Sequence, residues 1–316
     1  MSTLCVVSTL YGSEERVQEF LRRTDCALDG LGFSEIRVVL IDDGSNDRSV
    51  DQALSYEPSR FDLEVICLSR NYGHHKAIFT GLGECREDTV VLLDSDLEEP
   101  PELIPRMLEK FAGDNLDVLY GVQRVRRDRG LLDRLSLVGY RILESSKHTK
   151  VTRNLCTMRV MNARYVAALL EYREQNPSFA LISKLVGFRQ GVFEVDKGDN
   201  GVSVYSWRKR FKNFANALIG HVDLGFRVAL VALLLLILML VAAVAIIFPR
   251  ALAGEPPSGY LSLIAVSLFG FASIAVVLFV FAIYLERIYR EVLGRPRVHV
   301  QDREIIRRGS ASDGKS

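Results

Sequence analysis

The chain has 316 residues, 48% hydrophobic and 25% charged, with 40 basic and 39 acidic side chains. That apolar share excludes a mainly disordered chain, and a net charge of +1 excludes a globally basic nucleic-acid binder. At roughly 150 residues per domain the length predicts about two units, and a mean hydropathy of +0.13 in so charged a chain requires the apolar residues to be concentrated somewhere.

Leu4 to Ser8 is a short apolar run and predicts the first strand. Ser13 to Leu31 has helical spacing, with Val17, Phe20, Leu21, Cys26 and Leu28 apolar. Ile36 to Ile41 is a β-branched run of the kind found in parallel sheets covered on both faces, and it ends in Asp42-Asp43-Gly44-Ser45. A helix is expected over Asp47 to Leu54, a strand over Leu63 to Leu68 and a helix over Gly73 to Cys85. Thr89 to Leu93 is a strand ending in Asp94-Ser95-Asp96. Pro101 to Phe111 is a helix with proline in its first turns, where it is best tolerated, and Asp117 to Gly121 is a fifth strand. This alternation predicts an α/β domain with a mostly parallel sheet, whose ligands bind beyond the carboxyl ends of the strands.

The concentrated apolar residues lie near the C-terminus. Val228 to Phe248 is 21 residues without a charge, and Tyr260 to Leu285 is a second uncharged run. At 1.5 Å rise the first would span roughly 31 Å, about a bilayer core. A proline- and glycine-bearing linker joins them, so a transmembrane hairpin is expected, the alternative being two buried helices of a soluble protein. Basic residues flank both runs (Arg208, Lys209, Arg210, Lys212 and Arg227 before; Arg287, Arg290, Arg295 and Arg297 after), which places both flanks in the cytoplasm. No basic segment followed by an apolar run opens the chain, so no signal peptide is expected. The expected organisation is a cytoplasmic domain at 1–205, an amphipathic juxtamembrane segment at 206–222, helices at 223–249 and 260–285 around an extracytoplasmic loop at 250–259, and a cytoplasmic tail at 286–316. The tail's end, Gly309 to Ser316, is polar and expected to be disordered. Cys5, Cys26, Cys67, Cys85 and Cys156 lack metal-ligand spacing and are expected as thiols, most of them small core residues.

Three polar clusters follow the second, third and fourth strands. Asp94 and Asp96 can converge on one hard cation, Mg²⁺ or Mn²⁺, that also meets substrate phosphates, but such a pair alone more often forms an acidic turn, here capping the helix at Pro101. Asp42 and Asp43 can accept from a base N–H or a ribose hydroxyl, or simply form a strand-to-helix turn. Arg70, in Arg70-Asn71-Tyr72-Gly73-His74, can bind a phosphate at a helix N-terminus. Neighbouring His74 and His75 diverge and do not make a metal pair. Arg124, Arg126, Arg127, Arg129 and Arg134 fit an anionic substrate, a solvated face or anionic lipid heads; no aromatic residues interleave, which argues against nucleic acid.

In combination these segments say more. Val39-Leu40-Ile41-Asp42-Asp43-Gly44-Ser45-Asn46-Asp47, Leu68-Ser69-Arg70-Asn71-Tyr72-Gly73-His74 and Asp94-Ser95-Asp96-Leu97-Glu98-Glu99-Pro100-Pro101-Glu102 occur in this order. They resemble the family 2 glycosyltransferases of GT-A fold, and more narrowly the polyprenyl-phosphate glycosyltransferases acting on undecaprenyl or dolichyl phosphate. Glu286-Arg287-Ile288-Tyr289-Arg290-Glu291 with Gly294-Arg295-Pro296 looks like that group's ending after its hairpin, so the resemblance covers about residues 4 to 298. It implies a Rossmann-like nucleotide-sugar domain in the inner membrane and inverting transfer of one sugar from a nucleotide-diphosphate donor to a polyprenyl phosphate. It places Asp42, Asp43, Arg70, Asn71, Asp94 and Ser95 at the donor, and Asp94 and Asp96 at the metal. Arg124 and Arg127 match positions that meet the lipid phosphate, and Arg159 matches the arginine of a GDFR-like segment. The group's hairpins can self-associate, so a homo-oligomer is also implied.

Three positions depart from the pattern: Thr157 where an aspartate often stands, Ser8 in place of a proline, and Val204 in place of a lysine. Two other expectations stand beside the main one. A processive polysaccharide synthase would need a Gln-x-x-Arg-Trp motif, which is absent around Trp207, the only tryptophan. A non-catalytic membrane protein could retain a degenerate transferase domain.

Overall fold

The computed structural model describes residues 2–123, 155–175, 177–195, 241 and 259–309. In chain order these form β1 (Thr3–Leu10), α1 (Val17–Ala27), β2 (Glu35–Asp42), α2 (Ser49–Leu54), β3 (Asp62–Leu68), α3 (His74–Glu84), β4 (Thr89–Leu92), a 3₁₀ turn (Pro101–Leu103), α4 (Ile104–Gly113), β5 (Val118–Gln123), β6 (Leu155–Asn162), α5 (Ala163–Leu170), α6 (Phe179–Leu185), β7 (Gln190–Val195), α7 (Tyr260–Val292) and β8 (Val300–Ile306). The eight strands make one sheet in the order β7-β5-β6-β4-β1-β2-β3-β8. Strands β1 to β4 run parallel, β6 is antiparallel to both β4 and β5, and β8 is antiparallel to β3.

The expected mostly parallel α/β sheet is therefore present. Alternation along each strand divides its apolar side chains between two layers. Leu4, Val6, Val38 and Leu40 pack with Val17, Phe20 and Leu21 of α1 and Ile104 and Met107 of α4. Cys5, Val7, Val39 and Ile41 pack on the other face with Ala77, Ile78 and Leu82 of α3, Tyr165 of α5 and Ile182 of α6. Each fully buried Leu, Ile, Val or Phe contributes about 1.5–3 kcal/mol relative to an exposed one.

Two expected elements differ in extent. The helix expected over Ser13 to Leu31 begins only at Val17, because the Ser13 carbonyl accepts from Arg16 N and Val17 N in a tight turn. The helix expected from Pro101 opens as a 3₁₀ turn, with Pro105 in the first turn of the α-helix that follows. Cys5 and Cys156 are buried, but Cys67 and Cys85 are only partly so and Cys26 is exposed, so two of the five rather than most are core residues.

The chain divides into one unit of residues 1–201 with 295–316 and a second of 202–294. The segment treated as a tail in the sequence thus supplies a strand. β8 is held by its ladder to β3 and by Arg303, whose guanidinium meets Glu64 at 3.2 Å and Glu84 at 2.8 Å. Arg37 shares that charged cluster, reaching Glu64 at 2.6 Å and Glu87 at 2.7 Å. In the second unit α7 is 33 residues long and contains the whole uncharged run Tyr260 to Leu285. Counted on the described residues alone, no helix is long and apolar enough to cross a membrane. The expected helix at 223–249 apart from residue 241, the juxtamembrane segment 206–222 and the polar end beyond Gly309 lie outside the described residues, as does nearly all of the loop at 250–259.

Candidate active site

Because β1 to β4 are parallel, their carboxyl ends meet at one edge of the sheet, as the sequence predicts. A cleft of about 520 Å³ opens there, lined by Tyr11 after β1, Asp42, Gly44, Ser45 and Asn46 after β2, and Cys67 to Asn71 at the end of β3. Val50 of α2 and Gln301 and Asp302 of β8 complete the wall.

The two aspartates ending β2 are both 3% exposed but face different partners. Asp42 lines the cleft and accepts from Ser45 N at 3.1 Å, which fixes the turn. Asp43 turns away, accepting from Tyr72 N at 2.7 Å and Gly73 N at 2.9 Å. Burial pushes its carboxyl upward against the pull of those two N–H groups. Asp43 thus anchors the loop that carries Arg70 and Asn71 to the cleft. We expect Asp43→Ala to leave two N–H groups without their acceptors, at about 1–3 kcal/mol each. Asp43→Asn, keeping one acceptor oxygen, should fall between it and the parent in a thermal melt. Identical melting of all three proteins would contradict this anchor. Arg70 lies over the Tyr72 ring at 4.5 Å, and the Tyr72 hydroxyl meets Ser69 Oγ at 3.0 Å.

The acidic turn after β4 has a different construction. Asp94 Oδ1 is buried without a hydrogen-bond partner, and His74 Nε2 lies 3.6 Å from it. His74 is held from behind by Thr9 Oγ1 at 3.1 Å from its Nδ1. Ser95 is 3% exposed and its hydroxyl donates to Thr9 O at 2.8 Å, so its side chain braces β1 against β4. Asp96 accepts from Glu98 N at 2.9 Å. Between them Leu97 sits at φ 63°, a left-handed conformation that costs a non-glycine residue about 1–2 kcal/mol. The turn is tight enough to hold that strain directly beside the two carboxylates. The buried Asp94 oxygen fits a hard divalent cation, which Asp94 and Asp96 could hold with water or phosphate oxygens.

Arg159 lies on β6, paired in register with Leu92 of β4, and is 2% exposed. Its guanidinium stacks on Phe179 at 4.2 Å and Tyr120 at 5.1 Å and donates to Ser183 Oγ at 2.6 Å. Burial pulls its pKa down, while Tyr120, Tyr165, Glu99 and Asp94 hold the charge on it. Glu99, 2% exposed, accepts from Thr157 N at 2.8 Å and so ties the acidic turn to β6. Thr157 therefore stands at the turn through its backbone. Lys184 places its Nζ 4.1 Å over the same Tyr120 ring. The His74 and His75 rings lie with centroids 5.8 Å apart and tilted by 51°, so they touch rather than diverge as expected. Arg124 and Arg127 lie outside the described residues.

Sequence reasoning missed Glu99 and Lys184 and the two residues of β8. Glu99 had a signal, the acidic run before Pro100-Pro101; Gln301 and Asp302 had none, since only the fold brings them to the cleft.

The profile of glycosyl transferase family 2 matches residues 5–170. A relative from Mycobacterium tuberculosis described as "Putative glycosyltransferases" is 37% identical over 208 residues, 66% of this chain and 60% of that protein. The chain thus spans less than two thirds of that relative's length. An undecaprenyl-phosphate 4-deoxy-4-formamido-L-arabinose transferase from Shewanella sediminis is 30% identical over 307 residues, 94% of this chain and 91% of that one. Among solved structures, the glucosyl-3-phosphoglycerate synthase of Mycobacterium tuberculosis in complex with Mn²⁺, UDP and glucosyl-3-phosphoglycerate matches at 18% identity and a TM-score of 0.45, over 68% of this chain and 76% of that one.

Proposed function

Since the chain belongs to glycosyl transferase family 2, we propose that it moves one sugar from a nucleotide-diphosphate donor to a polyprenyl phosphate, with undecaprenyl phosphate as the acceptor. The observation that carries this reading is the shared edge of the sheet. Asp42 faces a nucleotide-sized cleft there, and Asp94 presents a buried oxygen with no hydrogen-bond partner. The Shewanella relative, which matches along nearly the whole chain, supports the choice of acceptor.

In this mechanism the cleft between the ends of β2 and β3 holds the nucleoside, with Asp42 accepting from it and Arg70 and Asn71 lining the phosphate side. Mg²⁺ or Mn²⁺ on Asp94 and Asp96 would neutralise charge on the departing diphosphate. An acceptor phosphate oxygen attacks the anomeric carbon from the face opposite the leaving group, which inverts the configuration. A phosphate monoester has a second pKa of about 6 and is already largely a dianion at neutral pH. The reaction therefore needs no side-chain base, and Thr157 in place of an aspartate is compatible with turnover. Arg159 supplies a fixed positive potential behind the acidic turn, while Arg124 and Arg127 are assigned to the acceptor phosphate.

The uncharged run inside α7 and its counterpart at 223–249 would anchor the chain in the inner membrane as a hairpin. Residues 206–222 would then lie at the interface, and the domain would meet the lipid head there. Self-association through that hairpin belongs to the same reading.

The test is a transfer assay on detergent-solubilised protein with undecaprenyl phosphate, Mg²⁺ or Mn²⁺ and a panel of nucleotide sugars, read by mass spectrometry of the lipids. The expected product is a lipid phosphate carrying a single sugar, formed with one donor and lost on adding EDTA. Polymer, or donor binding without any lipid product, would overturn the proposal.

A further inference from the structure

β8 reaches the donor cleft through an irregularity in its pairing. Ile66 pairs with Arg303 and Cys67 with Asp302, but Leu68 pairs with Val300, so Gln301 is the extra residue of a bulge. Ser69 N donates to His299 O at 2.9 Å just beyond, which closes the ladder around it. Adjacent residues of a regular strand point to opposite faces, and a bulge re-aims one of them. Gln301 and Asp302 consequently both line the one cleft. Asp302 lies opposite Cys67, the residue that pairs with Asp42 on the other side. Burial, together with the carboxylates of Asp42, Asp302 and Glu304, pushes the Cys67 thiol up to about 11. Asp42 and Asp302 thus flank Cys67 in register, and all three line the cleft.

We propose that Gln301 and Asp302 read the edge of the donor's nucleobase and set its selectivity, an inference that rests on the cleft holding a nucleotide sugar. An ionised carboxylate only accepts hydrogen bonds, whereas the Gln301 amide both donates and accepts. That set complements a base edge with a ring N–H beside a carbonyl oxygen, as in uracil and guanine. With the Asp302 carboxylate at the ring nitrogen and the Gln301 amide at the neighbouring exocyclic atom, it opposes cytosine and adenine, whose ring nitrogens there are bare acceptors. The wall that makes this distinction follows the second unit in the chain, since residues 295–316 rejoin the first unit after 202–294.

The experiment is calorimetric binding of UDP, GDP, CDP and ADP, each with Mg²⁺, to the full-length detergent-solubilised protein and to Asp302→Asn, Gln301→Ala and Glu304→Gln. Glu304 pairs with Val65 and lies outside the cleft lining, so its variant removes the same charge from the same strand at a neutral place. The parent should bind UDP or GDP at least about tenfold more tightly than CDP and ADP, the worth of one charged hydrogen bond. Asp302→Asn should collapse that ratio, Gln301→Ala should narrow it, and Glu304→Gln should preserve it. A selective parent whose ratio survives in both cleft variants would overturn this inference alone. A parent that binds no nucleoside diphosphate would overturn it together with the donor reading. Gln301 and Asp302 are both exposed, so each variant should keep the fold and either one alone tests the inference.

Discussion

Asp94→Asn should lower sugar transfer by at least about 10²–10³-fold while the domain melts at a nearly unchanged temperature. The magnitude is that of losing one charge-stabilising group, about 3–4 kcal/mol at the transition state. The unchanged fold follows from the geometry. Asp94 Oδ1 accepts no hydrogen bond and His74 Nε2 is 3.6 Å away, so the side chain does little to hold the native state together. Only Oδ1 is buried, the side chain being 25% exposed, and the small desolvation cost that neutralisation relieves is offset by the support Asp94 gives the buried Arg159 charge. Function and stability are therefore expected to separate at this residue. Asp96 and Glu99 should not separate so cleanly, because Asp96 accepts from Glu98 N and Glu99 from Thr157 N. The measurement is kcat/KM for the donor beside a thermal melt of the same preparation. Transfer near the parent level would remove Asp94 from the metal site, and a melt lowered by ten degrees or more would make its role structural.

The first half of the fold was legible because its strands are apolar, β-branched and buried on both faces. The runs at Leu4, Ile36, Leu63 and Thr89 announce themselves without any knowledge of their neighbours. The later strands do not. β6 carries Arg159 in its middle, a cation that only the aromatic rings of Phe179 and Tyr120 make tolerable in the core. β8 reads Val-Gln-Asp-Arg-Glu-Ile-Ile and is mostly exposed, so its membership of the sheet rests on β3 and on ion pairs to Glu64 and Glu84 far away in the chain. The site divides the same way. Asp42 and Asp94 were recognisable as carboxylates ending parallel strands. Asp43 and Ser95 were of the right type and place, but their polar atoms face Tyr72, Gly73 and Thr9. Residue type and spacing place a side chain at an edge, and the direction it takes from there is decided by packing.

Gly44→Ala should be among the most damaging single changes to the cleft. Gly44 sits at φ +71°, and a β-carbon there would lie 2.5 Å from Arg70 C and 2.6 Å from Asn71 N. Those are backbone atoms, and the loop that holds them is fastened by Asp43 to Tyr72 N and Gly73 N, so the clash cannot be relieved by rotating a side chain. The left-handed conformation costs alanine about 1–2 kcal/mol, and overpacking adds about 1–3 kcal/mol. At roughly 2–4 °C per kcal/mol for a domain of this size, the melt should fall by about 5–15 °C. The cleft should also open between the ends of β2 and β3, so nucleotide affinity should drop by about tenfold or more. Gly12→Ala separates the two causes. Gly12 has φ +62° but nothing within 4 Å of its β-carbon position, so only the conformational cost applies there. The difference between the two variants measures the contact between the loop ending β2 and the loop ending β3. Equal losses would mean that the two loops do not approach each other this closely in solution, and the cleft wall drawn from Gly44, Arg70 and Asn71 would have to be redrawn.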